Sequence, residues 1–195
     1  MRRSLLPLVG LVPTVGVIVS LSLAARPAAS DPTQPRYTKD GDLIRPTGYR
    51  TWVFVGASLG MGYNKKEYEK GTGPFHNIYI DPSAYRQYVE HGAFPDKTML
   101  IMEVLEPEAN ASINRRGHFE GKRTAIEVAV KDREQFDEGW AYFDFSGDGK
   151  KLAATAKAFP KARCYDCHAE HADDDNVFVQ FYPVLRDIKA ERSEK

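Results

Sequence analysis

Arg123-Thr124-Ala125-Ile126-Glu127-Val128-Ala129-Val130 alternates without a break, and that alternation decides the fold class. Successive side chains of a strand point to opposite faces, so Ile126, Val128 and Val130 share one face and Ala125, Glu127 and Ala129 the other. Working outward, Thr51–Ala57 (TWVFVGA), Phe75–Ile80 (FHNIYI), Thr98–Leu105 (TMLIMEVL) and Trp140–Phe145 (WAYFDF) share the aromatic and β-branched character of strands. Gly71-Thr72-Gly73-Pro74 and Ser146-Gly147-Asp148-Gly149 are turn signals that divide them. One helix is predicted between the second and third strands. Asp81 is a good N-cap, Pro82 fits the first turn, and Gly92 can close the end. Tyr85, Tyr88 and Val89 give it an apolar stripe suited to packing on a sheet. Further helical pieces are predicted over Lys150–Ala158 and around residues 164–168. The sum is an α+β fold, mainly antiparallel β-sheet with a few helices.

Cys164-Tyr165-Asp166-Cys167-His168 follows the last strand and carries the chemistry. It is the C-x-x-C-H pattern of covalent haem attachment, in which both thiols add to the haem vinyl groups and the adjacent His ligates iron. These are the only 2 cysteines of the chain, so neither a disulfide framework nor a four-cysteine zinc site can be built. The competing reading is a redox C-x-x-C, or a small strained disulfide, with an incidental His. The haem reading makes the fold one packed around a single covalently bound haem c, with His168 on the iron.

The N-terminus agrees with that chemistry. Arg2 and Arg3 precede a mostly apolar run from Leu5 to Ala25, and Ala28 and Ser30 supply the small residues of a cleavage site after Ser30. Residues 1–30 therefore read as a signal peptide. Pro7, Gly10, Pro13 and Gly16 interrupt the run, yet its length approaches the roughly 20 residues that span a bilayer, so an uncleaved anchor is the second reading. Either way the protein is expected in the periplasm or otherwise exported. Losing residues 1–30 removes Arg2, Arg3 and Arg26, which leaves 24 of 27 basic side chains against 27 acidic ones. Such a balance offers no broad basic field for nucleic acid. Residues 31–48, with Pro32, Pro35 and Pro46, read as a lead-in segment, 49–186 as the haem domain, and 187–195 as a charged tail that frays.

The blocks TGYRTWVFVG, PFHNIYIDPSAYRQYVEHGAFPDKT, GHFEGKRTAIEVAVKD, GWAYFDF and CYDCHAEHADDDNVFVQFYPVLR resemble, in order, those of the cytochrome P460 family, which includes the cytochromes c′-beta. The likeness covers nearly all of residues 40–186. It implies a homodimeric, β-rich fold with a proximal His and an open distal side. Catalytic members oxidise hydroxylamine and handle nitric oxide, whereas c′-beta members bind diatomic gases. In catalytic members a Lys in the strand after an F-P-D-G-T turn is bonded to the haem edge. The matching stretch here is Phe94-Pro95-Asp96-Lys97-Thr98-Met99-Leu100-Ile101-Met102-Glu103, and the family Lys falls on Met102. A thioether cannot form that bond, and Lys97 sits five residues earlier, on the opposite parity.

Met102 itself has two readings, an adaptable core filler or a weak sixth iron ligand. Met61, in a Gly-rich loop, and Met99, on the opposite strand face, are weaker ligands. The resemblance makes Phe75 a cover for the distal iron face, and puts His76 where some catalytic members carry a distal Arg. A His there can donate to a bound ligand or pass protons, or can be merely an exposed residue at a strand start. Tyr79 either lines the same pocket or packs in the sheet. Lys161 and Arg163 can pair with haem propionates or serve the surface. His91, His118 and His171 lack metal spacing, and Asp173-Asp174-Asp175 lacks the Gly and Glu of an EF-hand and reads as a solvated loop.

Three functions follow in order of expectation. The first is a c′-beta-like protein that binds or transforms small nitrogen ligands such as nitric oxide at an open iron site. The second is a P460-type oxidoreductase acting on hydroxylamine or nitric oxide. The third is an electron carrier with His168 and a Met on opposite haem faces. The expected partners are a small diatomic or nitrogen-containing ligand, a second copy of the chain and a periplasmic electron-transfer protein.

Overall fold

The computed structural model describes residues 33–62, 71–148 and 151–194. The signal peptide expected over 1–30, and Met61's neighbours 63–70, lie outside the described residues. Among the described residues the chain forms β1 (Leu43–Ile44), β2 (Val53–Leu59), β3 (Phe75–Ile80), α1 (Pro82–His91), β4 (Met99–Glu108), β5 (Phe119–Lys131), β6 (Trp140–Asp144), β7 (Thr155–Ala156), α2 (Tyr165–His171) and α3 (Pro183–Ser193). The architecture is α+β. Strands β2 to β6 form a five-stranded sheet in chain order, every neighbouring pair antiparallel, and β1 pairs with β7 beside it.

Side-chain parity sorts the core into two layers. Ile126, Val128 and Val130 pack with Met99, Ile101 and Phe143 on one face, closed over by Leu43, Tyr49 and Trp52. Ile78, Ile80, Leu100 and Tyr142 line the other, covered by Ala84 and Tyr88 of α1 and by Val177, Val179 and Leu185. Helix α1 is fastened at both ends. Asp81 accepts from Ala84 N at 2.8 Å and Met99 N at 3.1 Å, so one carboxylate caps the helix and joins it to β4. Gly92 ends it at φ 68°, and Arg192 of α3 donates to the carbonyls of Val89 and Glu90.

The first face holds one buried charge. Glu103, 1% exposed, accepts from Tyr49 Oη at 2.5 Å, Arg50 Nε at 2.9 Å and Arg123 Nη1 at 2.8 Å. Burial pushes its pKa up, but those hydrogen bonds and the Arg50 charge outweigh it and hold the carboxyl below its ordinary value.

Two expectations are corrected. Residues 151–158 carry no helix: Thr155–Ala156 pairs with β1, and Arg45 Nη1 donates to the carbonyls of Leu152 and Ala153, each at 2.7 Å. Tertiary hydrogen bonds have overridden the helix propensity of an alanine-rich stretch. The tail expected to fray is helical instead, since α3 runs to Ser193 and Arg192 clasps α1. No helix among the described residues is long and apolar enough to cross a membrane.

Candidate functional site

The C-x-x-C-H motif opens α2. Cys164 is the N-cap residue, and His168 N donates to its carbonyl at 3.0 Å, so a single helical turn brings both thiols and the imidazole to one side. Both cysteines are free. Burial raises the Cys164 thiol, with the Glu127 charge adding to it.

His168 is held on three sides. Its ring lies 4.2 Å from that of Tyr142 and 4.4 Å from that of Phe178. Its Nδ1 is 2.8 Å from the Asn176 carbonyl. A carbonyl only accepts, so the proton sits on Nδ1 and the lone pair on Nε2. Burial lowers the His168 pKa, while the bond to Asn176 opposes it only in part. A neutral imidazole with Nε2 free is the form that ligates iron.

Between α2 and the sheet lies a cleft with about 880 Å³ of empty space, its open mouth included. Ile78, Leu100, Met102, Glu127, Ala129 and Tyr142 form its sheet side, and Phe159, Arg163, Cys164, Cys167, His168, Phe178 and Tyr182 the rest. A large, mainly apolar wall with a few convergent polar groups is what a flat hydrophobic cofactor needs. Both thiols and a ready iron ligand stand on that wall, so the residues fit a covalently attached haem.

Met102 is half-buried in this cleft, on the face that Leu100 shares. Lys97 is elsewhere: its amine meets Asp132 at 2.5 Å and Glu134 at 2.8 Å, in a turn where Lys97 has φ 67°. His76 and Phe75 do not line the cleft. His76 lies 3.4 Å from Ser58 Oγ, and burial lowers its pKa. Phe75 pairs with Leu105, and alternation puts it with Asn77 and Tyr79 on the opposite face. Tyr79 packs there against Tyr49 and Phe54. Arg163 reaches the cleft over the Phe159 ring, whereas Lys161 sits 3.6 Å from Glu138. His171 is exposed next to Glu170.

Several site residues carry no motif. Glu127 stands across the sheet from Met102 on one side and Asp144 on the other. Among the described residues its carboxylate has no hydrogen bond or ion pair, and burial, then Asp144, raises its pKa. A lone acid in the otherwise small Ala125, Ala129 set was the available signal. Tyr142, Asn176 and Phe178 gave none, because their meaning depends on where His168 comes to lie.

The three aspartates lie in an exposed to half-exposed loop, as expected, and each also has its own partner. Asp173 meets Lys189 at 2.7 Å, Asp174 accepts from Tyr88 Oη at 2.8 Å, and Asp175 accepts from Lys131 Nζ at 2.6 Å and Trp140 Nε1 at 3.1 Å. Spread over four partners, they form no cation cage, and no group of three or more His, Cys, Asp or Glu among the described residues could hold a metal ion.

No curated protein matches the chain. The family model for cytochrome P460 matches residues 46–179, from the turn before β2 to the segment that covers His168. The match covers more than half of the chain and most residues of the cleft, and it makes the chain a haem protein that belongs to the cytochrome P460 family.

Proposed function

We propose that this protein is an exported, mono-haem c-type member of the family that binds or transforms small nitrogen ligands, nitric oxide foremost, in the c′-beta manner. One observation carries the reading: Cys164, Cys167 and a half-buried His168, its Nδ1 tied to a carbonyl and its Nε2 free, line a single apolar cleft. When bound, the haem supplies an iron centre that takes a small ligand and exchanges electrons. Cys164 and Cys167 would anchor the ring and His168 Nε2 would ligate the iron, with Tyr142 and Phe178 packed against the imidazole to fix it. Arg163, at the cleft edge, is placed to pair with a propionate. Met102 leaves the sheet side without an amine, so no third protein–haem bond forms there. The N-terminal pattern and the family resemblance support export and a homodimer.

Glu127 favours a second reading, an oxidoreductase acting on hydroxylamine or nitric oxide. An acid whose proton affinity is raised inside the cleft can accept the protons that such oxidations release. The Met102 thioether in the same cleft keeps the electron-carrier reading open to test.

Expression with c-type maturation machinery decides among them. Haem stain should stay with the wild-type chain on a denaturing gel and vanish in the Cys164→Ala, Cys167→Ala double variant. A five-coordinate ferrous spectrum and slow or absent hydroxylamine oxidation are expected. Robust turnover would select the oxidoreductase, a low-spin six-coordinate spectrum the carrier, and stain retained by the double variant would overturn covalent attachment.

A further inference from the structure

The imidazole of His168 is oriented by a carbonyl that belongs to an unusual turn. Asp174 and Val177 face each other as an isolated bridge, with Val177 N donating to Asp174 O at 2.7 Å. Between them Asp175 has φ 42° and Asn176 φ 61°. Two successive left-handed residues make the mirror-image hairpin turn that glycine normally supplies. Asp and Asn tolerate this conformation best after glycine, so the turn can form locally and its surroundings fix where it sits.

Here the surroundings are three sheet residues. Lys131, 4% exposed at the end of β5, donates to Asp175 Oδ2 at 2.6 Å and to the Phe94 carbonyl at 2.7 Å. Trp140 Nε1 donates to Asp175 Oδ1 at 3.1 Å, so both carboxylate oxygens are held. One residue on, the Asn176 carbonyl takes two donors, His168 Nδ1 at 2.8 Å and Tyr142 Oη at 3.2 Å.

Resting on the haem reading above, we infer that Lys131, Asp175 and Trp140 are positioning residues for the iron ligand: they clamp the Asp175–Asn176 turn so that its carbonyl polarises His168 Nδ1–H, and Tyr142 competes for that carbonyl. A stronger Nδ1–H···O bond makes Nε2 a stronger donor to iron, which favours the oxidised metal. The clamp and the competitor therefore act in opposite directions. Loosening the clamp weakens the donor; deleting the competing hydroxyl strengthens it.

The test compares the haem-loaded wild type with Asp175→Ala and Tyr142→Phe, the latter keeping the ring that stacks on His168. In Asp175→Ala, covalent haem stain should remain, the ferrous iron–histidine Raman band should shift down and the reduction potential up. Amide exchange of residues 174–177 in the haem-free chain should quicken. Tyr142→Phe should move the band and the potential the other way. Opposite signs are what a merely structural role would not produce. An Asp175→Ala protein that keeps its haem with band and potential unmoved overturns the inference while leaving the proposed function intact. Should Asp175→Ala fail to fold, Tyr142→Phe decides alone, and an unchanged or lowered band overturns it. Absence of covalent haem from the wild type sinks the haem reading itself, and this inference with it.

Discussion

Glu103 and Glu127 lie on adjacent strands and opposite faces of one sheet, and they have opposite electrostatics. Glu103 is saturated, with Tyr49, Arg50 and Arg123 donating to it, and its pKa is lowered. Glu127 faces a cleft without a hydrogen-bond or ion-pair partner among the described residues, and its pKa is raised. The same side chain is therefore part of the scaffold on one face and an unpaired acid in a cleft on the other. What separates them is not depth but the donors that each face supplies.

The largest effect should come from Glu103→Gln. Losing the charge leaves two guanidiniums facing a neutral amide, and although both can partly rehydrate, urea unfolding should show a loss of about 2–3 kcal/mol. Because the folded pKa lies below the unfolded one, Glu103 stabilises the fold above the ordinary carboxylate range and loses that contribution as pH falls through its folded value. The gap between wild type and variant should thus close from pH 7 toward pH 3. A gap that widens would mean the network is not held together by charge.

Met102→Leu should cost less, about 1 kcal/mol, because it nearly conserves volume on an apolar surface. Its optical spectrum should match the wild type; a change from six- to five-coordinate iron would instead identify Met102 as a ligand. Glu127→Gln should have the smallest effect on stability and the opposite sign, a gain of about 0.5 kcal/mol at pH 7. A raised folded pKa means stability is present below the unfolded value and lost as pH rises through the folded one. The gain should vanish at pH values where the wild-type carboxyl is already protonated. A loss at pH 7 would show that Glu127 has found a partner and would erase the contrast.

Strand alternation around Ile126, and the Asp81, Pro82 and Gly92 signals of α1, were legible because they are local. So was the C-x-x-C-H pattern, which is five consecutive residues and which the structure places on the cleft wall. Glu103 was hidden in a stretch that reads as apolar throughout, and its three donors come from a turn and a strand far along the chain. Asp175 is exposed as expected, but its ties to Lys131 and Trp140 were hidden because those partners precede it by 44 and 35 positions. Residues 151–158 misled for the converse reason. Their composition favours a helix, and only Arg45, over a hundred positions earlier, draws their carbonyls into other bonds.

Chain order carries a consequence for how the holoprotein is assembled. Each strand from β2 to β6 pairs only with sequential neighbours, so the platform can form from short-range pairings alone. The motif comes after it, and the segment Val177 to Leu185, which packs in the same core cluster as Cys164, follows. The segment that follows the motif thus completes the wall of the cleft, through Phe178 and Tyr182, and is part of the site, not an appendage.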